Sequence, residues 1–136
     1  EIDLGEEEGP RTVVSGLVKH MSLEDLQGAR VLCVANMKPS KMRGVQSQAM
    51  VLAATGPDGK VELVTPPEGA AVGERVTFEG FDGEPDLQLN PKKKIFEAIQ
   101  PDFATRDDCV AEWKGVPFTT SGGVCRVATV AGGTIR

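Results

Sequence analysis

One histidine, three cysteines, one tryptophan and no tyrosine in 136 residues leave little of the equipment that enzymes and metal sites use. His20 has no second histidine, cysteine pair or serine motif to work with, so it reads as an ordinary strand-end residue. Cys33, Cys109 and Cys125 stand at unrelated spacings. With no C-x-x-C pair and no Cys/His cluster, no zinc site is expected. The G-x-S-x-G, Walker, H-E-x-x-H and Rossmann glycine patterns are all missing. Asp107 and Asp108 adjoin, but on a strand they would point in opposite directions and make a poor acid/base pair. No catalytic residue, cofactor or metal is therefore expected. No apolar run reaches the roughly 18 residues that a membrane helix needs, and Glu1 to Gly9 has neither the basic nor the apolar stretch of a signal peptide.

What is present describes a globular domain, with 40% apolar and 26% charged residues in a chain long enough for one sizeable core. Each cysteine adjoins a valine, which predicts buried, reduced thiols and a reducing compartment. The cytoplasm is the expected location, with a plastid or other organelle as the alternative if a transit peptide has been removed upstream. A net charge of −5 argues at first against a nucleic-acid partner. Its distribution is uneven, however. Five acids fall in the first eight residues, whereas Asn36 to Ala53 holds Lys38, Lys41 and Arg43 and no acid. Lys92, Lys93 and Lys94 form a second basic cluster. An acidic protein can still present one basic face.

Hydrophobic patterning predicts strands over 12–19, 29–35, 46–54, 60–65 and 75–78. Ser22 followed by Asp25 predicts a capped short helix over 23–27, ended by Gly28. Gly56-Pro57-Asp58-Gly59 predicts a hairpin turn. Asn90-Pro91 opens a helix that buries Ile95, Phe96 and Ile99 and stops at Pro101. Short strands are expected over 109–113, 116–119 and 124–130, with Trp113 and Phe118 in the core. Many short strands around turns, with few helices, predict an all-β fold, either a small barrel or a sandwich.

The polar loop Asn36 to Gly44 and the strand after it are rich in hydrogen-bond donors and have no carboxylate. Lysine, arginine, serine and free backbone N–H groups are what phosphate contacts use. The stretch Asn36-Met37-Lys38-Pro39-Ser40-Lys41-Met42-Arg43-Gly44-Val45-Gln46-Ser47-Gln48-Ala49-Met50 closely resembles the signature of the tRNA-binding domain of synthetase-associated proteins. That family includes endothelial-monocyte-activating polypeptide two and C-terminal appendages of eukaryotic methionyl- and tyrosyl-tRNA synthetases. Arg11 to Val18, Gly83-Glu84-Pro85, Leu89 to Lys94, Cys109 to Ala111, Lys114 to Phe118 and Gly123 to Cys125 also resemble it, so the likeness spans about residues 9–127.

The resemblance implies a five-stranded OB-fold barrel over 1–79 and a pseudo-dimer-like C-terminal extension over 80–136, packed on the barrel. It further implies that the first barrel strands lie upstream of Glu1. By position it makes Asn36, Lys38, Lys41, Arg43, Ser47 and Gln48 the tRNA contacts, with Lys92, Lys93 and Lys94 as secondary phosphate contacts. The implied function is non-catalytic: a structure-selective tRNA-binding module assisting an aminoacyl-tRNA synthetase of the methionyl or tyrosyl type, or a multi-protein complex. The alternative is a docking subunit that keeps the fold without binding tRNA. A cytokine-like fragment, known among animal relatives, has no independent support in the residues.

Overall fold

The computed structural model describes residues 1–17, 20–81 and 83–135. Its secondary structure is mostly antiparallel β, in short pieces. Ser22 caps α1 (Leu23–Leu26), accepting from the Asp25 amide while Asp25 accepts from the Ser22 amide. This reciprocal arrangement satisfies two donors that a helix start otherwise leaves open. The strands are β1 (Cys33–Val34), β2 (Ser40–Met42), β3 (Val45–Ser47), β4 (Met50–Val51), β5 (Ala53–Thr55) and β6 (Val61–Leu63). After α2 (Ile95–Ile99) come β7 (Phe103–Thr105), β8 (Ala111–Trp113), β9 (Val116–Pro117), β10 (Thr119–Thr120), β11 (Gly123–Val124) and β12 (Thr134–Ile135).

The largest sheet has six strands in the order β6-β5-β12-β7-β8-β9. The chain's last strand therefore sits at its middle, pairing Ile135 with Ala54 on one side and Thr134 with Ala104 on the other. Strands from both halves of the chain share this sheet. Beneath it Leu52, Val64, Phe103, Phe118, Cys125 and Ile135 form the centre of the core. Phe118 meets Phe103 and Phe78 edge-on, at centroid distances of 5.2 and 4.9 Å, the geometry that ring quadrupoles favour. Burial pushes the Cys125 thiol up to about 11, while Cys33 and Cys109 are half-buried.

Two carboxylates clip the C-terminal half to the N-terminal half. Glu62 accepts from the Thr129 and Val130 amides at 2.8 and 2.7 Å and from the Thr129 hydroxyl at 2.6 Å. Burial alone would push its carboxyl up, but these bonds and Lys60 outweigh it and hold it below the ordinary 4.5. Glu74 accepts from the Ser121 amide and hydroxyl and from the Ala71 amide, which holds it low as well. Nearby, Gly122 lies against Gly69 so closely that a Cβ there would sit 2.8 Å from the Gly69 carbonyl carbon. Only glycine permits that approach.

The mostly-β fold expected from the sequence is present, but the barrel is not closed among the described residues, because the β1–β4 pair stands apart from the six-stranded sheet. The helix at 23–27 and the turn at 56–59 match expectation; Gly59 takes the positive φ of 86° and Gly56 donates to the Lys60 carbonyl. Other expectations need correction. Residues 12–17 are not a ladder strand: Thr12 and Val14 donate to the Gln48 and Ser47 side chains instead of to a neighbouring backbone. Val18 and Lys19, the end of that expected strand, lie outside the described residues. Only Cys33–Val34 of 29–35 is strand, and 46–54 divides among β3, β4 and β5. Residues 75–78 form isolated bridges from Thr77 to Thr119 and from Phe78 to Phe81.

The expected helix after Asn90 breaks at Lys94, whose φ of 48° is left-handed, leaving a 3-10 turn (Pro91–Lys93) before α2. Asp107 and Asp108 lie in a turn, where Asp108 accepts from the Val110 amide. The region 109–130 is finer-grained than expected, with β8 to β11 in place of three longer strands. Phe118 is buried as expected; Trp113 is half-buried, edge-on to Phe78 and Phe81. Strands β7 and β12 were not anticipated.

Because the Glu62 carboxyl is depressed on folding, its stabilisation is present above pH 4.5 and fades as pH falls through its lower folded value. Glu62→Gln is expected to lower stability at pH 7 by about 1–3 kcal/mol, the range for hydrogen bonds to a charged group. The gap between variant and wild type should narrow in denaturant titrations near pH 3. An equal gap at both pH values would show that the charge of Glu62 is not what holds Thr129 and Val130.

Candidate nucleic-acid interface

The expected polar loop 36–44 is in fact half of a hairpin. Strands β2 and β3 pair Ser40 with Ser47, Lys41 with Gln46 and Met42 with Val45. Arg43 and Gly44 form the two-residue turn, with φ of 53° and 81°. Positive φ at both turn positions matches the right-handed twist of the strands, and Gly44 takes it without strain. The available signal was Arg43-Gly44 between two pairs of alternating residues. It is weaker than Asn-Gly because arginine seldom adopts positive φ.

The six expected contact residues divide into two sets. Lys38, Lys41 and Arg43 are exposed, and among the described residues they make no ion pair. Asn36, Ser47 and Gln48 spend their side chains on the protein. Ser47 is buried; its hydroxyl accepts from the Val14 amide and donates to the Ala49 carbonyl, both at 3.0 Å. Gln48 accepts from the Thr12 amide at 2.9 Å, and its own amide donates to the Thr12 carbonyl at 2.8 Å. The Asn36 side chain donates to the Asp86 carbonyl, and its backbone carbonyl accepts from the Leu89 amide.

A residue not anticipated as part of the site organises it. The Arg11 guanidinium makes a two-pronged ion pair with Glu6, both bonds 2.7 Å, and donates from Nη1 to the carbonyls of Ala35 and Gln48. Ala35 and Gln48 flank the segment carrying the hairpin, so one planar cation closes its base. A planar five-donor group can do this where an ammonium cannot. The hydrogen bond from Arg11 holds the Glu6 carboxyl below 4.5. Position 11 lies between an acidic segment and an apolar one, 25 residues before Asn36, so local pattern could not connect the two.

Lys92, Lys93 and Lys94 are exposed. The Asn36–Leu89 bond brings the approach to this cluster beside the approach to the hairpin. At 3.8 Å per residue step, Lys38 and Lys92 lie within roughly 25 Å of one another along that route. Of the acids of loop 80–89, Glu84 pairs with Arg75 at 3.2 Å, whereas Asp86 meets Asn36 through its backbone carbonyl and not its carboxylate. Asp82 is outside the described residues. A more apolar cleft of about 1310 Å³ runs past Leu4, Val13, Val31, Val51 and Val76 and reaches Ala35 and Asn36 at the hairpin's approach; Lys38, Lys41 and Arg43 are not part of it.

A mostly-β body that holds out an exposed, carboxylate-free hairpin has the donor and charge pattern that phosphate contacts use. The chain belongs to the tRNA-binding domain family: the family model described as "Putative tRNA binding domain" matches residues 1–75. The mouse aminoacyl tRNA synthase complex-interacting multifunctional protein 1 is 56% identical, over all of this chain and 44% of its own length. The cytoplasmic methionine–tRNA ligase of Arabidopsis thaliana is 58% identical, over all of this chain and 17% of its own. The chain thus spans less than half the length of these relatives. The crystal structure of the C-terminal domain of Plasmodium vivax p43 superposes with a TM-score of 0.90 at 35% identity, covering 98% of this chain and 81% of that one.

Arg11→Lys keeps the charge but loses the fork. Its expected cost is about 1–3 kcal/mol, as for losing hydrogen bonds to a charged group. Hydrogen exchange at the Thr12 and Gln48 amides should accelerate, with the six-stranded sheet protected. Unchanged exchange at those two amides would rule out Arg11 as the clamp.

Proposed function

We propose that this chain is a non-catalytic, structure-selective tRNA-binding module that assists an aminoacyl-tRNA synthetase. The observation that carries this reading is the β2–β3 hairpin: three exposed cations on a segment without a carboxylate, projecting from a body that is otherwise acidic. Lys38, Lys41 and Arg43 contact phosphates, and Lys92, Lys93 and Lys94 extend the track. Asn36, Ser47 and Gln48 serve the same surface by holding its base. Phosphate contacts fix position without reading sequence, which suits a partner selected by shape.

In this reading residues 1–79 carry the RNA-binding part and residues 80–136 the extension packed on it. The synthetase relative is a methionine enzyme, and the mouse relative is named for a synthetase complex. A methionyl- or tyrosyl-type synthetase or such a complex is the proposed partner, in the cytoplasm. Joining a general tRNA binder to a catalytic domain raises the local tRNA concentration without new specificity.

Affinity that rests on phosphate charge falls steeply with salt, by close to one unit of log–log slope for each contact. Lys41→Glu with Arg43→Glu is expected to weaken tRNA binding at least tenfold at low salt and flatten that slope by about two. The melting temperature should barely move, because exposed charges add little stability. Fluorescence titration of tRNA across a salt series measures both. No tRNA binding by the wild-type chain at low salt, or binding indifferent to salt, would reject the proposal in favour of a docking subunit.

A further inference from the structure

The cations occupy only part of the hairpin. Residues opposite one another across an antiparallel pair share a face, and residues two apart along a strand share it as well. Lys41 and Gln46 therefore lie on one face, and Met42, Val45, Ser40 and Ser47 on the other. At the root Ser47 on the second face is buried, while Ser40 opposite it is exposed. At the tip it comes free: Met42 is 44% exposed and Val45 46% exposed. Two aliphatic side chains thus stand side by side in water next to the Arg43-Gly44 turn.

Single exposed apolar residues are commonplace. A cross-strand pair at the end of a projecting cationic hairpin has a narrower set of partners. Arg43 stands in the turn beside it and Lys41 on the opposite face, and no acid lies between Asn36 and Ala53, so the charge of the hairpin favours a polyanion. The apolar parts of such a polyanion are base faces and ribose edges. Apolar side chains do insert beside bases in nucleic-acid complexes, and RNA offers unstacked bases in its loops and junctions. Methionine's flexible, polarisable side chain adapts to such a surface.

We propose that Met42 and Val45 form an apolar wedge that packs against an unstacked base or its ribose in the bound RNA. The wedge supplies a salt-independent part of the affinity beside the phosphate contacts. This rests on the tRNA-binding reading and goes beyond it, since phosphate contacts alone need no apolar tip.

The test compares wild type, Met42→Ser with Val45→Thr, and Met42→Leu with Val45→Ile in tRNA titrations over a salt series. The polar pair is expected to lose about five- to tenfold in affinity at every salt concentration, the low end for one base stacked on a side chain. Its log–log salt slope should equal the wild type's, unlike that of the Lys41/Arg43 charge reversal. The Leu/Ile pair, which keeps the apolar face, should bind like wild type. On adding tRNA to wild type, the Met42 methyl resonance should move upfield in the ring current of a base. Wild-type binding by the polar pair, or a Met42 methyl unmoved at saturating tRNA, overturns the wedge and leaves phosphate binding intact. Loss of synthetase binding by the polar pair, with tRNA binding unchanged, overturns it in favour of a protein partner. Failure of the wild type to bind tRNA at all rejects the underlying reading instead.

Discussion

The Arg11 guanidinium is the interaction on which the candidate interface depends. A short two-stranded hairpin is marginal in water, and among the described residues the backbone ladder of β2 and β3 joins no third strand. Something outside the hairpin must fix its base, and Arg11 does so by meeting Ala35 before it and Gln48 after it. Glu6 holds the guanidinium in plane. Ser47 and Gln48 then bond the neighbouring backbone at Val14 and Thr12. The N-terminal segment, which contributes no exposed cation of its own, thereby orients Lys41 and Arg43. Order at the base and exposure at the tip coexist because Arg11, Ser47 and Gln48 bond the backbone at the root while Lys41 and Arg43 stay exposed.

A second constraint joins the halves of the chain. Strand β12 completes a sheet begun by β5 and β6, and Glu62 and Glu74 receive amides from the C-terminal half. Covering these edges with strands from elsewhere in the chain removes open ladders that would otherwise invite aggregation. Residues 80–136 are, in this sense, part of the scaffold beneath the hairpin, and the Asn36–Leu89 bond carries that support to its approach.

What was legible locally was chemistry with short range. The Ser22 cap, the Asp58-Gly59 turn and the apolar segment around Leu52 follow from neighbours within a few residues. Strands β7 and β12 escaped because Phe103–Thr105 and Thr134–Ile135 are too short to show a period; β7 takes its ladder from the next strand, β8, and β12 from the sequence-distant β5 and β7. Lys94 escaped because positive φ in a lysine has no local signal. Likewise residues 36–44 read as a loop, and nothing near Arg11 in the sequence marks it as their clamp.

The sequence by itself determined the cationic, carboxylate-free character of residues 36–53, the absence of catalytic and metal groups among its motifs, and the kinship with tRNA-binding domains. Charge and residue type belong to the chain whatever its shape. Tertiary structure alone decided which donors stay free. Asn36, Ser47 and Gln48 look as competent as Lys38, Lys41 and Arg43 when written in a row. Their polar side chains reach backbone groups brought close by folding, and at the buried Ser47 a hydroxyl left unbonded would be costly. The longer cations, expensive to desolvate, remain in water at the hairpin's surface.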